Sequence, residues 1–200
     1  MKASSLFTYN RTVSAWLAPQ LARTPLTPNH LTTLSLAAGL FAGFCMAHGT
    51  RQGLLAGAFF LHLSFILDNC DGAVARIKSM QSVSGMWYDY LADLAVDFAL
   101  WTGLAVGADR QGLDGHVYGV AALACAGSAL NFWRVVVQRR QPAPAVQKGR
   151  GNLVASFTGP LGKDGDPSLL VWFLAFTAGP AALLYLGCAY IFLVWSFSLL

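Results

Sequence analysis

Apolar residues in this chain come in blocks that are too long for the helices of an ordinary soluble core. The stretches 31–48, 52–78, 86–108 and 113–137, and a final block over 168–200, carry few charges. A helix needs about 20 apolar residues to cross a hydrocarbon core about 30 Å thick. Only 11% of the 200 residues are charged and 56% are hydrophobic, whereas an ordinary soluble domain carries about 25% charged residues. The blocks and the charge deficit together predict an all-α integral membrane protein. The last block exceeds one span, and Gly179-Pro180 divides it, because proline removes a helix donor and disfavours helix at the residue before it. Six transmembrane helices is the preferred count. Five is the alternative, since 168–178 is short for a span.

Residues 4–24 place Leu6, Tyr9, Val13, Trp16 and Leu17 at near-helical spacing, interrupted by Arg11 and Thr12 and ended by Pro19. The segment is too polar to span, so an amphipathic helix lying in the membrane interface is expected. The predicted organisation is one domain over 1–200, with 1–26 interfacial and 27–200 forming the transmembrane bundle. No cleavable signal peptide is expected, because no short apolar core precedes a small-residue cleavage site. Cys45, Cys70, Cys125 and Cys188 are scattered, which fits small hydrophobes in helices better than disulfides or a zinc site.

Eleven of the thirteen basic residues fall on one side of this layout: Lys2, Arg11, Arg23, Arg76, Lys78, Arg134, Arg139, Arg140, Lys148, Arg150 and Lys163. Arg51 and Arg110 fall on the other. The positive-inside rule places the basic side in the cytoplasm, and a bacterial inner membrane is the expected location. The net charge of +4 therefore reports topology and contact with membrane lipids, and no nucleic-acid partner is expected. Small-residue pairs recur four apart at Gly39/Gly43, Gly53/Gly57, Gly103/Gly107 and Gly115/Gly119. Close helix packing is their main reading, and a homodimer is the expected assembly.

All nine acidic residues are aspartates, and Asp68, Asp71, Asp89, Asp93 and Asp97 fall within thirty residues that are otherwise largely apolar. Each acid in a membrane segment costs about 2.5–3.5 kcal/mol on insertion scales, so a cluster needs a compensating partner. Asp68, Asp71, Gly72, Ala75 and Arg76 recur at i, i+3, i+4, i+7 and i+8, which puts them on one helix face. Gly85, Asp89 and Asp93 follow at steps of four on the next helix. An antiparallel hairpin turning near Met80 and Gln81 would set Asp68 opposite Asp93, Asp71 and Gly72 opposite Asp89, and Arg76 opposite Gly85. Four carboxylates in one layer cannot all stay ionised without a cation. Oxygen-only ligation selects a hard ion such as Mg²⁺, Mn²⁺ or Ca²⁺. Arg76 and Lys78 alone cannot neutralise the cluster, so a purely structural role is disfavoured. Asp97 continues the step one turn further, where supporting a ligand or bonding between helices fits better than metal ligation.

The pattern D-x-x-D-G-x-x-A-R-x8-G-x3-D-x3-D over 68–93 resembles the signature of the CDP-alcohol phosphotransferase family, and all eight of its positions match. Thr27-Pro28-Asn29-His30-Leu31-Thr32 resembles the family's T-P-N-x-x-T segment before the first span. The resemblance implies a six-helix membrane bundle with an N-terminal interfacial helix. It implies that Asp68, Asp71 and Asp89 ligate one or two Mg²⁺ or Mn²⁺ ions. Asp93 would be the general base and also touch a metal. Gly72, Ala75, Arg76 and Gly85 would shape the CDP pocket, bordered by Asn29 and Thr32. The reaction implied is attack of an alcohol acceptor on a CDP-alcohol donor with release of CMP.

The chain's size resembles the bacterial CDP-diacylglycerol users, which makes CDP-diacylglycerol the expected donor. The alternatives are a CDP-linked polar headgroup transferred to a lipid alcohol and, further off, a cation or proton transporter. The bases over 134–163 fit either a cytoplasmic loop or a site for a phosphorylated acceptor. The phosphoglycerol and inositol-phosphate branches often carry G-K-x-K-T after the fourth helix. Here Gly149-Arg150-Gly151-Asn152-Leu153 and Gly162-Lys163-Asp164-Gly165-Asp166 stand instead, so the acceptor stays open.

Overall fold

Each helix boundary follows from a local signal in the chain. The computed structural model describes residues 9–139 and 179–197, and these form six α-helices with no strand among them. They are α1 (Tyr9–Ala22), α2 (Pro28–Met46), α3 (Arg51–Ile77), α4 (Val83–Asp109), α5 (His116–Arg139) and α6 (Pro180–Phe197). Thr27 caps α2 by accepting from the His30 backbone N–H, while the His30 ring accepts from the Thr27 N–H. That is a capping box with histidine in the place usually held by Glu or Gln. Pro28 occupies the first turn, where its missing donor costs nothing. The Thr-Pro-Asn-His run is thus a helix start in its own right. Thr50 and Ser82 cap α3 and α4 in the same way, each accepting from a glycine N–H three residues on. Pro180 opens α6 where the break was predicted.

The turn between α3 and α4 lies where it was expected. Ser79 takes the left-handed conformation at φ 55°. The Met80 N–H returns to the Ala75 carbonyl at 2.9 Å and the Ser79 N–H to that of Arg76 at 3.3 Å. This is the Schellman closure that usually recruits glycine. A side chain in that conformation costs about 1 kcal/mol. Ser79→Gly is therefore expected to raise the stability of the detergent-solubilised protein by about that much, seen as a higher midpoint of thermal unfolding. Lys78 anchors the same turn by donating to the Thr24 and Leu26 carbonyls at 2.8 and 2.7 Å.

Packing departs from the simple hairpin. α2 lies against both α3 and α4, whereas α3 and α4 hardly touch each other. Glycines make this possible. A Cβ on Gly43 would collide with the Ala99 carbonyl, one on Gly103 with the Gly43 carbonyl, and one on Gly39 with Val96. On the other flank Gly57 seats Met46. Three of the four small-residue pairs thus serve packing within the chain. Among the described residues, nothing lies within 4 Å of where a Cβ on Gly115 or Gly119 would be. The core of Ala42, Met46, Leu54, Leu61, Leu104 and Leu184 fills the half of the bundle away from the aspartates, and Gly187 of α6 accommodates the ring of Trp101.

α1 corrects two expectations. Pro19 does not end it, and the helix continues to Ala22. A proline inside a helix costs about 3 kcal/mol, and contacts with α3 offset this. Ala18 is buried, Leu17 and Leu21 pack beside Cys70 and Val74, and Ser14 donates to the Ile66 carbonyl at 3.1 Å. Trp16, placed in the apolar stripe from sequence, points away at 68% exposure. Leu6, the half-span 168–178 and the basic segment 140–163 lie outside the described residues.

Among the described residues, two helices, Arg51–Ile77 and Val83–Asp109, are long and apolar enough to cross a membrane. They are the two that carry the aspartates.

Candidate active site

The aspartates sit on the facing sides of α3 and α4, near the ends joined by the Ser79 turn. One carboxylate oxygen from each of Asp68, Asp71 and Asp89 lies within 4.8 Å of the others. Asp68 also stands close beside Asp89 and Asp93. Carboxylates hold such positions only when a proton or a cation stands between their oxygens. A hard divalent ion fits a donor set made of these oxygens alone.

α2 supports the layer from the side. The Thr32 hydroxyl donates to Asp71 at 2.5 Å, and both residues are buried. Asn29 stands one turn earlier and is exposed. Its side-chain oxygen lies 3.3 Å from where a Cβ on Gly85 would be, and the Ser82 hydroxyl lies closer still. Gly85 is therefore where the starts of α2 and α4 meet. Gly72 differs from the packing glycines, since a Cβ there would meet only the Arg76 guanidinium at 3.6 Å. Its backbone borders open space. Ala75 is half-buried and Arg76 is exposed on the same helix. The structure thus brings Asp68, Asp71, Asp89, Asp93 and Thr32 together, with Asn29 and Gly85 at one edge and Gly72, Ala75 and Arg76 along α3.

Sequence reasoning missed a cavity of 310 Å³ that leads from Asp68 and Asp93 toward the middle of the bundle. Asp97, Ser128, Asn131, Ser35 and Ser64 are among its lining residues. Ser128 and Asn131, three apart in an apolar span, were the available signal on α5. Asp97 stands beside Ser128 across the α4–α5 contact, a placement that suits the bond between helices weighed for it from sequence.

The sequence pattern of the family described as CDP-alcohol phosphatidyltransferase matches residues 25–198. The chain belongs to that family. Its two long apolar helices fit the family's membrane setting. Two curated relatives of this chain bear the name bifunctional IPC transferase and DIPP synthase. The protein of Aquifex aeolicus is 34% identical over 97 residues, which is 48% of this chain and 22% of that protein. The one from Rubrobacter xylanophilus is 38% identical over 92 residues, 46% of this chain and 20% of that protein. The matched stretch spans about a fifth of the length of either relative.

Proposed function

We propose that this single-domain transferase moves a phosphatidyl group from CDP-diacylglycerol to an alcohol acceptor in a metal-dependent step of phospholipid synthesis. The observation that carries this reading is the convergence of the Asp68, Asp71 and Asp89 carboxylates within 4.8 Å, with Asp93 beside them. Asp68, Asp71 and Asp89, with Asp93 at the edge, would hold one or two Mg²⁺ or Mn²⁺ ions, whose chemistry is to stabilise charge on the diphosphate. Asp93 takes the proton of the acceptor hydroxyl. The resulting alkoxide oxygen bonds to the phosphorus that carries the alcohol, the bond to the bridging oxygen breaks, and CMP leaves. Positioning and charge stabilisation supply most of the rate in such transfers. Gly72, Ala75, Arg76, Gly85 and Asn29 shape the CDP pocket, with Arg76 offering donors to phosphate.

α3 has 27 residues, so it is about 40 Å long and exceeds a hydrocarbon core of about 30 Å. Its aspartate end thus reaches headgroup depth on the cytoplasmic side, where a soluble and a lipid substrate meet. The outward Trp16 suits α1 lying in that interface. A homodimer completes the reading, with Gly115 and Gly119 as the small-residue pair left uncovered.

A second reading has CDP carrying a polar headgroup, which agrees with relatives named for IPC transfer and DIPP synthesis. CMP release by the purified chain with Mg²⁺ separates the two. Release from CDP-diacylglycerol supports the first, release only from a CDP-linked polar alcohol supports the second, and release from neither defeats both. Thr32→Val removes the donor to Asp71 while keeping the shape of the side chain. It is expected to weaken Mn²⁺ binding about 10- to 100-fold, read by electron paramagnetic resonance without any substrate.

A further inference from the structure

The cavity below the aspartate layer has a chemical bias that follows from how its polar groups are already spent. The Ser35 and Ser64 hydroxyls each donate to the other's backbone carbonyl at 2.9 Å, so this floor between α2 and α3 is satisfied internally. Ser128 accepts from the indole N–H of Trp101 at 3.3 Å and stands beside Asp97 in the lining. Its one proton is available to the Asp97 carboxylate. Asn131 accepts from Arg134 at 3.3 Å through its amide oxygen, which leaves its NH₂ group to donate. The capacity at the Asp97 end is a carboxylate that accepts and an amide that donates, and the Tyr90 hydroxyl, Asp68 and Asp93 complete the polar lining. Among the described residues, no Lys or Arg lines the cavity.

A phosphate group finds neutral donors but no cation in such a lining, and the carboxylates of Asp93 and Asp97 repel it. Hydroxyl groups match it, because each can donate to Asp97 and accept from Asn131. Geometry adds a length. Asp97 lies four residues beyond Asp93 on α4, about 6 Å along the helix axis. A molecule whose reacting hydroxyl meets Asp93 places a second hydroxyl at Asp97 if it spans a few carbons. The volume of 310 Å³ is at the small end of ligand pockets, about 300–1,000 Å³, so one headgroup fits.

We infer that this cavity receives the acceptor as a polyol, and that Asp97, beside Ser128, is the specificity-determining residue that accepts a hydrogen bond from a non-reacting hydroxyl. The inference rests on the transferase reading above for the role of Asp93. Any phosphate the acceptor carries stays outside the cavity.

Calorimetric titration of the detergent-purified full chain tests this, with CDP and Mg²⁺ present and with myo-inositol, ethanolamine and choline as probes. Binding of myo-inositol is expected, weakened at least tenfold by Asp97→Ala and by Ser128→Ala, with CDP affinity held within twofold. Asp97→Asn keeps an oxygen acceptor and is expected to restore most of the polyol affinity. Four results overturn the inference: no polyol binding in a chain that binds CDP, polyol affinity indifferent to Asp97→Ala, polyol and CDP affinities falling together, or a preference for the amino alcohols. Polyol binding that depends on Asp97 in a chain that does not bind CDP would instead sink the transferase reading and leave the cavity assignment standing.

Discussion

Asp93→Asn should slow CMP release by about 10²–10⁴-fold, the range expected when a general base is lost, while leaving the helices folded. The amide has the size of the carboxylate and cannot take the acceptor's proton. Asp93 is exposed, lines the cavity and stands beside Asp68, so nothing in the core depends on its charge. Removing one negative charge from a group of four also relieves repulsion. Without metal, the variant should therefore unfold at the same temperature as the parent or a higher one. Thermal unfolding in EDTA beside a CMP-release assay reads both halves. Turnover at the parent rate would remove Asp93 from the role of base, and a lower unfolding temperature would mean that the charge has a structural partner.

Gly103→Val should be the most damaging single change away from the aspartates. A Cβ at this position runs into the Gly43 carbonyl, and the Gly107 position one turn on is closed by the Met46 carbonyl. Backbone cannot rotate aside as a side chain can, so α2 and α4 must separate. Overpacking costs about 1–3 kcal/mol where side chains can give way, and here the cost should reach or pass the top of that range. The effect on function should be larger still, because α2 is the element through which α3 and α4 are held at their spacing. Loss of Mn²⁺ binding together with a lowered unfolding temperature is expected. If Gly103→Val unfolds like the parent, the close α2–α4 approach is not what sets the aspartate layer.

Much of this molecule is local in origin, and that part could be read along the chain. Helix positions followed from apolar block length and from Pro180, and the caps at Thr27, Thr50 and Ser82, which the sequence reading did not use, are equally local because capping and proline chemistry act within four residues. The aspartates shared a face because helical periodicity alone puts residues 68 and 71, and 89 and 93, on one side. The family pattern added roles to those positions. Pro19 was misjudged because its effect depends on what else holds α1, and the contacts of Ser14, Leu17 and Ala18 with α3 are not local.

What the chain determined by itself is that two long apolar helices carry carboxylates on one stripe each, turn back near Met80 and Gln81, and set those stripes opposite each other. Only the tertiary structure decided that the reversal runs through Ser79 and that a gap lies between the stripes. The glycines at 39, 43 and 57 let α2 press into both partners, which keeps α3 and α4 apart. That separation opens the space beside Asp97, Ser128 and Asn131. No spacing rule contains it, because it depends on how closely a third backbone can approach.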